Sequence, residues 1–288
     1  MNPPPEPAEK GFRIRVMSPL GSYPADSFIA PSAALVVDPE ICFCVVGITK
    51  KESGFSEVDG LNPSEIPLLG CITLAGQNDT SAIRPYPSYQ TMLLKSEIDQ
   101  DLNDGFILEY KARLLHNVKH EYVSWPAGLV HKLPVFGGLA YTFTPSRHLD
   151  PQRLDILRRL ESANPVLLRG VSTLIKAGLI WNHGEFREAA CIYLWIALDA
   201  AFSLTLGKLR EAGFANPTSQ DAANYVARIY GYEASWEKFF ERDYYNRISV
   251  IHPDNRYGAE ARPTLCTDDF YDLNDKLIPL FQHIVLNY

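Results

Sequence analysis

The chain is 288 residues long, 46% hydrophobic and 21% charged, with 27 basic and 34 acidic side chains and a formal charge of −7. That apolar content excludes a chain disordered throughout, and its composition excludes collagen-like or low-complexity architecture. An acidic whole excludes broad electrostatic capture by nucleic acid or anionic lipid, so any contact with RNA or DNA must come from a local patch.

The length suffices for two ordinary domains with real cores. The five cysteines are odd in number and contain no Cys-x-x-Cys, which predicts buried thiols in a reducing, cytoplasmic compartment. The start, MNPPPEPAEKG, has neither a basic nor an apolar stretch of the secretory kind, so no export signal is expected.

Two textures divide the sequence. Residues 1–148 hold most of the proline and read as a β-rich domain with one or two helices. Residues 149–288 read as an all-α domain, so the expected fold class is α+β multidomain. In Phe12, Arg13, Ile14, Arg15 and Val16 apolar and basic side chains alternate, which predicts a half-exposed strand. Residues 41–48 (ICFCVVGI) form an unbroken apolar run rich in β-branched side chains, which predicts a strand buried on both faces. Cys42 and Cys44 would share one face of it and pack in a core. Phe106, Leu108, Tyr110, Ala112 and Leu114 alternate with Ile107, Glu109, Lys111 and Arg113, a period of two that predicts a further strand. Behind Gly137 and Gly138, residues 139–144 (LAYTFT) predict another.

After Pro145 the period changes. Leu154, Leu157 and Leu160 recur at helical spacing, and Asn164-Pro165 then breaks the chain. Helices are predicted over 166–181, 185–212, 219–230, 234–251 and 268–286. Gly213 with Pro217 closes the long second one, and Pro253 stops the fourth. Asp268 and Asp269 suit the start of the last, and Pro279 is expected to kink it. Residues 189–206 (AACIYLWIALDAAFSLTL) carry one charge, Asp199, and just reach membrane-spanning length. A charge near the middle is costly in lipid, and a bundle helix buried on most sides fits better, so no membrane is expected.

The constellation with the most chemistry is Tyr244-Tyr245-Asn246-Arg247-Ile248-Ser249-Val250-Ile251-His252-Pro253. Arginine offers a planar fork of donors to a phosphate, and histidine exchanges a proton near neutral pH. Five residues advance about 500° around a helix, so Arg247 and His252 would point about 140° apart. Pro253 biases His252 out of the helical region, at the exit of the helix. The ordinary structural reading of the same residues is a surface arginine and a helix-capping histidine.

This half resembles the HEPN superfamily, in its ApeA-like branch. The likeness covers about residues 165–288. It lies in the helix order, the long apolar helix with Asp199, the helix carrying Tyr244, Arg247 and His252, and the hydrophobic closing helix. The resemblance implies a homodimeric, metal-independent endoribonuclease with no cofactor. Arg247 would hold the scissile phosphate, and His252 would act as general acid or base for attack by the ribose 2′-hydroxyl. A two-fold axis would bring one chain's Arg247 near the other's His252, which answers the 140° separation. Tyr244, Asn246 and Asp199 would support the site, and Arg242 and Arg256, with Arg262, would add RNA contacts. Ile248 departs from the family, whose active members often carry a polar residue there. The alternative is therefore a non-catalytic binding or dimerisation module. By analogy the catalytic reading is that of a toxin or anti-phage defence effector whose N-terminal domain senses a trigger or a regulatory partner.

Other candidates are weaker. His116 and His120 are four apart and could share a metal if helical, but the strand predicted up to Leu114 argues against that, and no metal is expected. His183 sits in a turn. The charge divides unevenly: residues 1–150 hold 12 basic and 17 acidic side chains, and the remainder 15 and 17. The helical half is thus close to neutral, and RNA bound there would be held weakly, at one small site.

Overall fold

The computed structural model of the chain describes residues 10–20, 28–37, 42–49, 61, 64–75, 82–85, 92–95, 102–121, 151–181, 184–231, 240–241 and 267–287. A β-containing N-terminal region is followed by a helical region. The chain divides into two compact units, Met1–Leu68 with Gly76–Leu154, and Leu69–Ala75 with Asp155–Tyr288.

The first unit is built on an antiparallel sheet of β1 (Lys10–Leu20), β2 (Phe28–Ile29), β3 (Ala33–Val37), β4 (Cys42–Thr49), β5 (Ala82–Pro85) and β6 (Met92–Lys95). The order is β2-β3-β4-β1-β5, and β6 also pairs with β1. β1 is long enough for two short strands to share one edge: β6 pairs at Gly11–Ile14 and β5 at Met17–Leu20. Its other edge pairs with β4, placing Arg13 opposite Val46 and Arg15 opposite Cys44.

Alternation sorts the side chains. Ile14, Ala34, Val36, Phe43 and Val45 form a core with Leu102, Phe106, Ile107 and Leu114. The last three belong to helix α2 (Asp104–Glu121), which lies among the residues where period two predicted a strand. The strand expectation for residues 106–114 is therefore corrected. Asn103 Oδ1 accepts from the Phe106 N–H at 2.9 Å, an N-terminal cap that satisfies an otherwise orphan donor. Phe106, Ile107, Tyr110 and Leu114 recur at helical spacing and pack inward, with the Phe12 and Phe106 rings 4.9 Å apart. Leu108, part of the apparent alternation, is 61% exposed.

β1 and β4 are both strands, as expected, but β1 is not half-exposed. Arg13 and Arg15 are buried together with Ile14, so both faces of β1 are covered from Arg13 to Arg15.

The second unit holds most of helices α1 (Ile66–Ala75) and α3 (Pro151–Glu161), and all of α4 (Pro165–Trp181), α5 (Arg187–Glu211), α6 (Ser219–Tyr230) and α7 (Thr267–Leu286). α3 to α7 match the predicted helices, α1 was not predicted, and of the predicted helix 234–251 only Phe240 and Glu241 are described. Thr218 and Asp221 form a reciprocal capping box at the start of α6, and Gly213, at φ +97°, follows α5 in a conformation that favours glycine. α7 runs through Pro279 as one helix, and the Tyr230 hydroxyl donates to the Pro279 carbonyl.

α5 packs against α4, α6 and α7. Ala190, Leu194, Trp195, Ala197, Ala201 and Leu204 are buried along it. Among the described residues it is the one helix long and apolar enough to cross a membrane, and its buried faces suit the core helix of a bundle. The Thr205 hydroxyl, buried with them, donates to the Ala201 carbonyl at 2.8 Å. Small residues set the spacing of α4, α5 and α7. A Cβ at Gly170 would lie 2.6 Å from Phe281 Cζ and 2.8 Å from Ala200 Cβ. Phe281 is fully buried, so a Cβ at Gly170 would force it or the helices to shift.

This contact predicts opposite signs for two alanine substitutions in one helix. Overpacking costs about 1–3 kcal/mol, against about 1 kcal/mol that alanine gains over glycine in a helix. Gly170→Ala should lower the thermal midpoint. Gly178→Ala, where a Cβ meets nothing within 4 Å, should raise it. Equal shifts in the two variants would contradict the close approach at Gly170.

Candidate functional site

The residues named for chemistry fall in three places. Tyr244, Asn246, Arg247, His252, Arg242 and Arg256 lie outside the described residues, as do Ile248, Arg262 and His183. Their flanks are described. Before them Phe240 is buried, its ring 5.0 Å from that of Phe202 on α5. After them α7 begins at Thr267. Asp199, on α5 and expected to support that site, is exposed, in a stripe with Glu188, Ile192, Ser203 and Arg210.

α7 also carries a titratable group in an aromatic setting. His283 lies edge-on to Tyr225 at 6.4 Å and to Tyr230 at 6.3 Å. Burial lowers its pKa below the ordinary histidine value, so the neutral ring is the favoured form in the fold.

His116 and His120 both lie on α2, so the condition for the pair to share a face is met by the backbone. His116 is exposed. Among the described residues no group of three or more His, Cys, Asp or Glu side chains gathers where it could hold a metal ion.

A buried charged cluster was not foreseen. Glu65, immediately before α1, is fully buried. Its carboxylate accepts from Arg15 Nε at 2.8 Å and from Arg15 Nη2 at 3.0 Å, and Arg13 Nη1 lies 3.8 Å away. The period-two pattern of β1 puts both arginines on one face, and Glu65 reaches that face from 50 residues away. Burial alone would lower the Arg15 pKa, but the hydrogen bonds and charge of Glu65 outweigh it and hold it above its ordinary value. A bidentate guanidinium–carboxylate pair is the geometry in which a buried ion pair is best compensated.

Cys44 lies opposite Arg15 and is fully buried. Burial first, then the Glu65 charge, pushes its thiol up to about 12, with Arg15 acting in the other direction. At neutral pH it is a protonated core thiol and not a nucleophile. Iodoacetamide should therefore leave Cys44 unmodified in the native chain and modify it on unfolding, as read by peptide mass spectrometry. Native-state labelling at the rate of a free thiol would contradict its burial. The folded chain holds this proton above the pH where the unfolded thiol, near 8.5, gives it up. Its contribution is constant below that pH and is lost as pH rises towards about 12.

No family model matches the chain, and no curated protein and no solved structure matches it.

Proposed function

We propose that the chain is a metal-independent endoribonuclease of HEPN type, acting as a cytoplasmic homodimer, with the sheet-containing unit as its trigger-sensing part. The observation that carries this reading is the order of parts in the second half. A long apolar helix, Arg187–Glu211, is buried within a bundle. The segment bearing Tyr244, Arg247 and His252 follows it, and the helix Thr267–Leu286 comes last.

In the proposed reaction the ribose 2′-oxygen attacks phosphorus while His252 or its two-fold mate takes the 2′-hydroxyl proton. The bond from phosphorus to the 5′-oxygen breaks, and that oxygen takes a proton from the imidazolium or from water. The products are a 2′,3′-cyclic phosphate and a 5′-hydroxyl. Arg247 neutralises charge gathering on the non-bridging oxygens.

The test is cleavage of mixed-sequence RNA by purified chain in excess chelator. Cleavage should persist, and substituting 2′-deoxyribose at the cut position should stop it. Cleavage of the deoxy substrate, or a requirement for added metal, would sink the mechanism. Ile248, apolar directly after Arg247, favours the second reading, a HEPN-like module that dimerises or binds without catalysis. A stable dimer that cleaves no RNA would decide for it.

A further inference from the structure

We propose that helix α1 is the link through which a change in the sheet-containing unit reaches the helical unit. The proposal rests on the trigger-sensing role given to the first unit above, and gives that role a physical route. α1 is one continuous helix of 10 residues, and the division of the chain into two units falls inside it. Ile66–Leu68 belong to the first unit and Leu69–Ala75 to the second.

The two ends of this stretch are held by different contacts. Glu65, the residue directly before α1, is fully buried and accepts two hydrogen bonds from Arg15 on β1. A two-point, charge-assisted pair fixes the place and the orientation of the carboxylate. Further along, the backbone of α1 comes hard against the helical unit at Gly70. A Cβ there would lie 2.7 Å from Val171 Cγ1 on α4 and 2.8 Å from Leu160 Cδ1 on α3. Leu160 and Val171 are themselves fully buried, and Leu68, Leu69, Cys71 and Leu74 of α1 are buried around the contact. Glycine is unfavourable inside a helix, and at this position it is the residue that lets the backbone approach so closely. A helix of this length is a hydrogen-bonded rod of about 15 Å. A displacement at Glu65 is therefore carried to Gly70, where α1 has no side chain to yield. A close-packed interior answers such a displacement by moving its neighbours, here Leu160 and Val171.

Hydrogen exchange of the full chain, read by mass spectrometry, tests the link from its first end. Glu65→Gln keeps the shape of the side chain and removes its charge. It should speed exchange of residues 69–75 and 167–175 by about ten-fold, the worth of a charge-assisted hydrogen bond, and leave α6 at the parent rate. Native-state alkylation of Cys44 tests the link from its second end, because coupling is reciprocal. Gly70→Ala disturbs α1 inside the helical unit and should raise the alkylation rate of Cys44, which lies on β4 in the first unit. Ile72→Val, a milder change in the same helix, should raise it less. Ala223→Gly, which weakens α6, should leave it unchanged. Faster exchange confined to the first unit in Glu65→Gln, or an equal rise in α6, would overturn the proposal. So would Cys44 labelling that follows Ala223→Gly as strongly as Gly70→Ala, since global unfolding would then explain it. No RNA enters these readouts. A chain that shows the coupling and cleaves nothing loses the nuclease reading and keeps the link, and one that cleaves without the coupling does the reverse.

Discussion

Glu65→Ala should cost the chain more stability than any other single substitution in its N-terminal unit. The carboxylate is fully buried and accepts two hydrogen bonds from Arg15, with Arg13 also at hand. Removing it leaves two guanidinium groups buried against a sheet. Breaking a buried pair in this way costs about 3–5 kcal/mol, because the buried cations lose the Glu65 charge without regaining water. That is a large share of the roughly 5–15 kcal/mol that holds a typical domain together. Arg15→Met should cost less, since one buried cation goes and Glu65 keeps Arg13 near it. Glu65→Gln should fall between them, retaining shape and some hydrogen bonding while losing charge. Urea denaturation of each variant, followed by circular dichroism at a strand wavelength, gives the midpoints. An unchanged midpoint for Glu65→Ala would mean that the cluster contributes nothing to the fold.

That cluster also marks where local pattern stopped being informative. Arginine alternating with isoleucine reads as a wet face, because periodicity shows no buried counter-charge. The counter-charge comes from Glu65, a tertiary partner that periodicity does not reveal. α2 misled for a different reason. Its apolar residues satisfy two periods at once, and the alternation gave Leu108 and Ala112 the same weight as Phe106 and Leu114. The exposed Leu108 and Ala112 show that only the helical subset is buried. The local signals favouring a helix were present: Asn103 as a cap, and Glu109 four residues before Arg113. α1 gave no periodic signal because it is buried on nearly every side. Helices α3 to α7 were legible because their boundary residues agreed with their apolar stripes, as in α5 with Gly213. Of the candidate RNA site, the residue types and spacing were legible, and of its named members Asp199 is described, on an exposed stripe.

The largest expected effect is on cleavage itself. His252→Ala and Arg247→Ala should each lower the rate of RNA cleavage by about 10²–10⁴-fold, the range of a general acid or base, equivalent to about 3–5 kcal/mol of transition-state stabilisation. Neither change should alter the dimer, which size-exclusion chromatography with light scattering would verify. The spacing of the two residues makes a sharper demand. If one helix carries both, they diverge by about 140°, so the proposed site would take Arg247 from one chain and His252 from the other. Mixing the two inactive variants under exchanging conditions should then restore activity. About half the dimers would be mixed, and each would hold one complete site of two, giving roughly a quarter of the parent rate. A site built within one chain predicts no restoration, because no chain in the mixture has both residues. Full activity in either single variant would remove that residue from the mechanism. A mixture as inactive as its components, from variants that cleave nothing alone, would place both residues in one chain and discard the two-fold site.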